Sequence, residues 1–297
     1  MTRANTLESA APSQRRALGP VLLIGGNGML GRAWRELLAK HNIDFDAPPR
    51  SELDLTKPDT LTKHITGEHA TIINCSAWTD VDGAETKLDE AKAANGIGVG
   101  ALADHCGRVN ATLVHYSTDY IFNGQATSPY ELDHALEPVN AYGQSKLLGE
   151  TLLQRSGTRY LLIRTSWLYA PWGKNFVRTI ANAAKTKPQL KVVADQRGRP
   201  TSSEHLADLS LRLLHTGATG IFHGCDGGEC TWFDFAKQIA AHVNPACDVQ
   251  PCTTADFPRP AKRPAYSVLS LDRTEAEIGK MPDWRDNLKS VLDRLEP

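Results

Sequence analysis

A short apolar run, Val21-Leu22-Leu23-Ile24, leads directly into Gly25-Gly26-Asn27-Gly28-Met29-Leu30-Gly31, and an amphipathic segment opens there and continues to residue 40. Strand, glycine turn and helix in that order mark the start of a βαβ unit built to hold a diphosphate. Gly25 permits the tight turn, Gly28 lets the backbone approach the anion, and Gly31 lets helix and strand pack closely. The helix N-terminus at Met29 and Leu30 then supplies N–H donors and a positive dipole end. Gly26/Gly28/Gly31 read as G-x-G-x-x-G and Gly25/Gly28/Gly31 as G-x-x-G-x-x-G; the residues alone do not choose between these registers.

The same alternation continues. VLLIG, NIDFD, TIINCSA, ATLVHYS and YLLIRTS read as strands, with helices over 29–40, 57–66, 84–107 and 141–155 between them. Apolar strands separated by helices predict a doubly wound parallel α/β sheet of the Rossmann type, with ligands at the carboxyl ends of the strands. The 297 residues amount to about two domains of ordinary size. Residues 21–166 read as the dinucleotide-binding domain. Beyond residue 166 prolines become frequent, and helices near 173–186, 203–215, 231–242 and 284–295 suggest a smaller lobe over the open edge, interleaved with the last strands. Residues 1–20 hold three Arg, one Glu and no hydrophobic stretch, which fits a disordered extension better than a signal or transit peptide.

Charge excludes some partners. Thirty-three Lys plus Arg against 34 Asp plus Glu give a net charge of −1, so nothing electrostatic points to nucleic acid or a membrane surface. No apolar run approaches the roughly 18 residues of a membrane helix. The six cysteines are too sparse for a disulfide scaffold and suit a reducing, cytoplasmic setting. Cys225/Cys230 and Cys247/Cys252, near His223 and His242, hint at zinc, but the pairs lie in unlike contexts and no metal is expected.

Tyr142 and Lys146 stand one turn apart on one helix face. Alone, that spacing is as easily a solvated pair. Ser117-Thr118-Asp119, however, ends the fourth strand, where this fold places its chemistry. With these signals in order, the chain resembles an extended short-chain dehydrogenase/reductase, in the dTDP-4-dehydrorhamnose reductase family. The resemblance covers about residues 20–295. It rests on Ser117-Thr118-Asp119-Tyr120-Ile121-Phe122-Asn123-Gly124, on Arg164-Thr165-Ser166-Trp167-Leu168-Tyr169 and on Gly173-Lys174-Asn175-Phe176. Asp195-Gln196 with Gly198 and Pro200-Thr201, and Arg263-Pro264 followed by Ser267, complete it.

The resemblance implies reduction of the C4 ketone of a dTDP-linked 4-keto-6-deoxyhexose. Tyr142 would donate the proton, Lys146 would lower its pKa and bind the nicotinamide ribose, and Thr118 would hydrogen-bond the carbonyl. Arg50 and Ser51, after the second strand, favour the 2′-phosphate of NADPH, whereas Asp44 or Asp46 would favour NADH, which stays the alternative. Asp54-Leu55 and Ser76-Ala77 resemble the family's cofactor-lining residues. Val81 and Trp167 are implied beside the deoxyhexose, and Asn175, Phe176, Gln196 and Arg263 around the nucleotide. The C-terminal lobe, 167–297, would then be mainly substrate-binding, and a homodimer is an open option.

Three rivals share the scaffold. A 4,6-dehydratase would carry Asp-Glu directly after the Thr, but Asp119 is followed by Tyr120. An epimerase can use the same Thr, Tyr and Lys, and differs in consuming no net NADPH. A reductase-like regulatory subunit, such as that of methionine adenosyltransferase, would keep the nucleotide fold and work through a partner enzyme.

Overall fold

The computed structural model describes residues 18–295, so the extension expected at the N-terminus lies, through residue 17, outside the described residues. Leu18 already packs in the core, and its carbonyl accepts the Thr71 hydroxyl. The first half runs β1 (Val21–Ile24), α1 (Met29–Lys40), β2 (Phe45–Asp46), α2 (Pro58–His64), β3 (Thr71–Asn74), α3 (Leu88–Lys92), α4 (Gly98–Arg108), β4 (Thr112–Thr118), α5 (Ala141–Arg155) and β5 (Tyr160–Thr165). The second half holds β6 (Leu168–Tyr169), α6 (Phe176–Thr186), β7 (Gln189–Val193), β8 (Arg197–Gly198), β9 (Thr201–Ser202) and α7 (Ser203–Thr216). It continues through β10 (Gly220–His223), β11 (Cys230–Thr231), α8 (Trp232–Val243), β12 (Asp248–Cys252), α9 (Asp272–Ile278) and α10 (Trp284–Leu292).

Six strands pair in parallel in the order β2-β1-β3-β4-β5-β10, so the winding reverses between β1 and β3. Alternate strand residues face opposite sides, and both sides are covered. Val21, Leu23, Ile73, Val114 and Ile163 pack with Trp34 of α1 and Leu206 of α7. Leu22, Ile24, Ile72, Leu113 and Leu162 pack with Leu61 of α2 and Leu102 of α4. This is the doubly wound sheet that the apolar runs predict. A third core joins Ile180 of α6, Phe235 of α8 and Trp284 of α10. No helix among the described residues is long and apolar enough to cross a membrane.

The helix expected over 84–107 is broken. A 3-10 turn (Gly83–Glu85), α3, a π-helical turn (Ala93–Ile97) and α4 take its place. Close packing against α5 explains the break. A Cβ on Gly149 would collide with the Asn95 carbonyl, and one on Gly96 would lie 2.5 Å from Leu148. The π turn carries Asn95, buried, toward the cleft; such turns are frequent at functional sites. β10 and α9 escape sequence reading because each is short and lies in loop-rich chain.

Candidate active site

A cleft of about 990 Å³ opens at the carboxyl ends of the strands, where the winding reverses. Its floor is the glycine loop. Gly25 has φ +77°, and a Cβ there would sit 2.7 Å from the Ser76 amide nitrogen; a Cβ on Gly31 would collide with the Gly25 carbonyl. Gly28 is different, with φ −75° and only the Gly25 carbonyl within 4 Å of an added Cβ, at 3.3 Å. The G-x-x-G-x-x-G register is therefore the structural one: Gly25 and Gly31 are steric necessities, and Gly28 keeps the cradle open. α1 has no side-chain cap and no acidic residue in its first turn. Its N–H groups at Met29 and Leu30 and its dipole are thus left for an anion, and a dinucleotide diphosphate fits.

Substitution by a β-branched residue tests this. Gly28→Val suits the local backbone but fills the cradle, so NADPH affinity measured by calorimetry should fall by orders of magnitude with the thermal midpoint little changed. Unchanged affinity would overturn the assignment.

Beyond β2, Arg50, Asp54 and Leu55 line the cleft. Burial pushes the Asp54 carboxyl up, but hydrogen bonds from the Thr56 amide and hydroxyl, with Arg50, outweigh it and hold Asp54 below its usual range. Arg50 Nε donates to Asp54 Oδ2 at 3.2 Å, and its side chain is 82% exposed. Ser51 is exposed and does not line the cleft. Asp46 pairs with His69 Nε2 at 2.8 Å. Arg35, absent from the sequence reading, donates to Asn27 Oδ1 at 3.0 Å, and a Cβ on Gly26 would lie between Arg35 and Ala47. Arg50 thus borders this end of the cleft, and Arg35 stands behind it, bonded to the cleft-lining Asn27.

Past β3, Ser76, Ala77 and Val81 line the cleft, as do Thr118 at the end of β4 and Tyr142 and Lys146 on α5. Asn140 starts that helix by accepting the Gly143 N–H at 2.8 Å. Burial pushes the Tyr142 phenol well above its ordinary pKa; Asp119 adds to the shift and a Thr118 hydrogen bond opposes it. Burial also raises Asp119 to about 6, although Ser267 and Thr118 donate to it. Lys146 moves the other way, down to about 8 through burial, with Glu150 opposing.

Burial is the largest cause that holds the proton on Tyr142, while the Lys146 Nζ is turned to the Tyr116 carbonyl at 2.6 Å. Tyr142 therefore rests protonated, as a proton donor should.

The opposite wall is aromatic. Trp167, the link from β5 into β6, has φ +47°, a strained backbone for a bulky residue and one typical of ligand sites. Gly198 makes room for its ring, since a Cβ there would lie 2.6 Å from the indole, and Trp232 stacks on it at 3.6 Å with an interplanar angle of 10°. Phe176 lies 4.4 Å from Trp232, ring centre to ring centre. Asn175, Gln196 and Arg263 do not line the cleft. Asn175 caps α6, accepting the Arg178 N–H while donating to the Ala170 and Trp172 carbonyls. Gln196 donates to Thr254, and Arg263 pairs with Asp82 at 2.9 Å.

Trp78, Lys174 and Trp232 also line the cleft, and Asn95 braces it by bonding both the N–H and the C=O of Trp78 and the Ser145 hydroxyl. The signal for Asn95 was an amide within a Gly/Ala-rich helix; Trp78 and Trp232 carried no spacing that separates a cleft aromatic from a core one. Among the described residues no three His, Cys, Asp or Glu side chains converge as a metal site.

Comparison with known proteins gives a consistent picture. The family described as "RmlD substrate binding domain" matches residues 19–296. The dTDP-4-dehydrorhamnose reductase of Burkholderia thailandensis is 38% identical over 286 residues, covering 89% of this chain and 95% of that protein. The crystal structure of a dTDP-4-dehydrorhamnose reductase from Clostridium acetobutylicum superposes with a TM-score of 0.89 at 39% identity, over 92% of this chain and 98% of its own. That of Bacillus anthracis, solved in complex with NADP, also gives 0.89, at 35% identity over 93% and 99%.

Proposed function

The chain belongs to the RmlD substrate binding domain family, which includes the dTDP-4-dehydrorhamnose reductases, and on that premise we propose that it reduces the C4 ketone of dTDP-4-dehydrorhamnose to dTDP-rhamnose with NADPH. The observation that carries this reading is the meeting of Thr118, Tyr142 and Lys146 with the glycine loop in one cleft. NADPH, when bound, supplies the hydride to the sugar carbonyl carbon. The carbonyl oxygen then becomes an alkoxide, a far stronger base than a phenolate, and takes the Tyr142 proton. The Thr118 hydroxyl hydrogen-bonds that oxygen, and Lys146, on reaching the ribose, offsets the phenolate that Tyr142 becomes. Trp167 and Val81, which both line the cleft, offer apolar surface to the deoxyhexose. Asn175, Gln196 and Arg263 stand outside the cleft lining, held by the α6 cap, Thr254 and Asp82, and their expected contact with the nucleotide needs the substrate to extend beyond the cleft.

Coupling NADPH oxidation to several 4-keto-6-deoxy sugar nucleotides, with identification of the product, tests the assignment. Product formation without net NADPH consumption would instead mark an epimerase. No turnover, with co-purification of a larger enzyme, would mark a regulatory subunit.

Cofactor choice follows from the rim after β2. Asp46, the carboxylate that would take a ribose 2′-hydroxyl, is engaged with His69, while Arg35 and Arg50 offer two cations to a 2′-phosphate. A charge-assisted contact contributes about 1.5–3 kcal/mol, so Arg50→Ala should cut the NADPH over NADH preference about 10- to 150-fold, and the double variant with Arg35→Ala more. A ratio of kcat/KM values unchanged in both variants would place the selection elsewhere.

A further inference from the structure

Behind Lys146 lies a buried polar chain that catalysis does not use directly. Asn74, at the end of β3, and His115, inside β4, are each 1% exposed. Asn74 Oδ1 accepts the Ser76 backbone N–H at 3.0 Å and the Ser76 hydroxyl at 2.7 Å. A backbone N–H can only donate, so this contact fixes which amide atom is the oxygen. The Asn74 amide NH₂ must then face His115 Nδ1, 3.1 Å away, and Nδ1 must accept. A neutral imidazole with a bare Nδ1 carries its hydrogen on Nε2, which faces Lys146 Nζ at 3.4 Å. Lys146 in turn donates to the Tyr116 carbonyl. Every hydrogen along Ser76, Asn74 and His115 therefore runs one way, toward the lysine nitrogen. An amine at that nitrogen accepts the Nε2–H; an ammonium opposes it, donor against donor.

We propose that His115, held as its Nε2–H tautomer by Asn74, is a positioning residue that orients Lys146 and sets the pH at which it loses its proton. The proposal rests on the reading of Lys146 as the residue that binds the nicotinamide ribose. Other titratable groups lie on the elements packed around Lys146. Tyr142 and Glu150 lie on its own helix, with Glu150 tied to Arg164 of β5. Tyr116 comes from β4 and Cys75 from the end of β3; Asp119 and Tyr120 come from the turn after β4. Glu85, beside the start of α5, accepts the Ala141 N–H. Glu150 alone favours the ammonium among the causes of the Lys146 shift, against burial. Burial and the Lys146 charge hold His115 well below its ordinary range, so it stays neutral while Lys146 titrates.

Three variants separate this device from mere packing. His115→Phe removes the opposing N–H, which should raise the Lys146 pKa. Both NADPH affinity and kcat require the ammonium, so their alkaline limbs should move up by about one pH unit. Asn74→Asp places an acceptor against Nδ1, favours the Nδ1–H tautomer and turns Nε2 into an acceptor for the ammonium; its alkaline limb should also move up. His115→Gln presents an amide oxygen to Asn74 and an amide N–H to Lys146, and should keep the wild-type profile. Nitrogen-15 spectra of the unsubstituted chain, labelled at histidine, should show His115 with a bare Nδ1 and no titration between pH 5 and 9.

Alkaline limbs that coincide in all three variants, or a His115 protonated on Nδ1, would overturn the proposal. The NADPH titrations need no sugar substrate, so a chain that reduces no keto-sugar would remove the functional reading while leaving this one testable. Conversely, full loss of NADPH binding in Lys146→Met together with an unmoved limb in His115→Phe would remove only this one.

Discussion

Replacing Tyr142 by phenylalanine is expected to lower kcat for NADPH-dependent ketone reduction by about 10²–10⁴-fold, with NADPH affinity nearly unchanged. The substitution deletes one hydroxyl from a ring that stays packed edge-on against Tyr120 at 5.9 Å, so the fold has little to lose. What it removes is the proton held ready at the developing alkoxide. Burial keeps that proton on the phenol at neutral pH, as the reductive direction requires. Lys146→Met should behave differently, losing kcat and NADPH affinity together, because one ammonium is asked to serve both the phenolate and the ribose. Two solvated residues that merely share a helix face would show neither pattern. Stopped-flow traces at wild-type hydride-transfer rates for Tyr142→Phe would show that the proton comes from another group.

The spacing of Tyr142 and Lys146 was legible because a helix repeats every 3.6 residues, and the glycine turn was legible because its demands are local: a left-handed φ at Gly25 and no room for a side chain at Gly31. The choice of register needed coordinates, since it turns on what a Cβ at residue 25 would meet on the neighbouring strand. Asn74 and His115 were hidden for a related reason. Each is one polar residue in an apolar strand, and only strand pairing, which sets Asn74 beside His115, shows that they satisfy one another. Asn175, Gln196 and Arg263 were singled out by motif, and motifs record residue identity without hydrogen-bond partners. In the folded chain, helix capping, Thr254 and Asp82 hold them respectively. The helix expected over 84–107 misled because Gly and Ala in that stretch satisfy a helical pattern, whereas contact with α5 imposes a π turn.

The largest stability effect is expected at Glu150. Glu150→Gln should destabilise the chain by about 3–5 kcal/mol, since removing one partner of a buried ion pair leaves the other charge uncompensated. Arg164 is 1% exposed and Glu150 0% exposed, and the guanidinium binds both carboxylate oxygens, with Nη2 donating to Oε2 at 2.9 Å. Its remaining Nη1 donates to the Leu132 carbonyl at 3.1 Å, and the group lies 5.5 Å above the Phe122 ring. No water can replace the lost carboxylate charge in that setting. The substituted amide could still accept one N–H through its oxygen, but it would turn its own N–H toward the same guanidinium. The pair also ties α5 to β5, one turn beyond Lys146 on one side and just before Thr165, Ser166 and Trp167 on the other. Loosening it should therefore lower kcat at temperatures well below the unfolding midpoint. Changing both partners to apolar residues of similar size, Glu150→Leu with Arg164→Met, removes the uncompensated charge and should recover most of the stability. Urea midpoints of the wild type, the single variant and the double variant decide the matter: a Glu150→Gln loss below about 1 kcal/mol would mean that the arginine finds other partners and that the pair does not hold helix to strand.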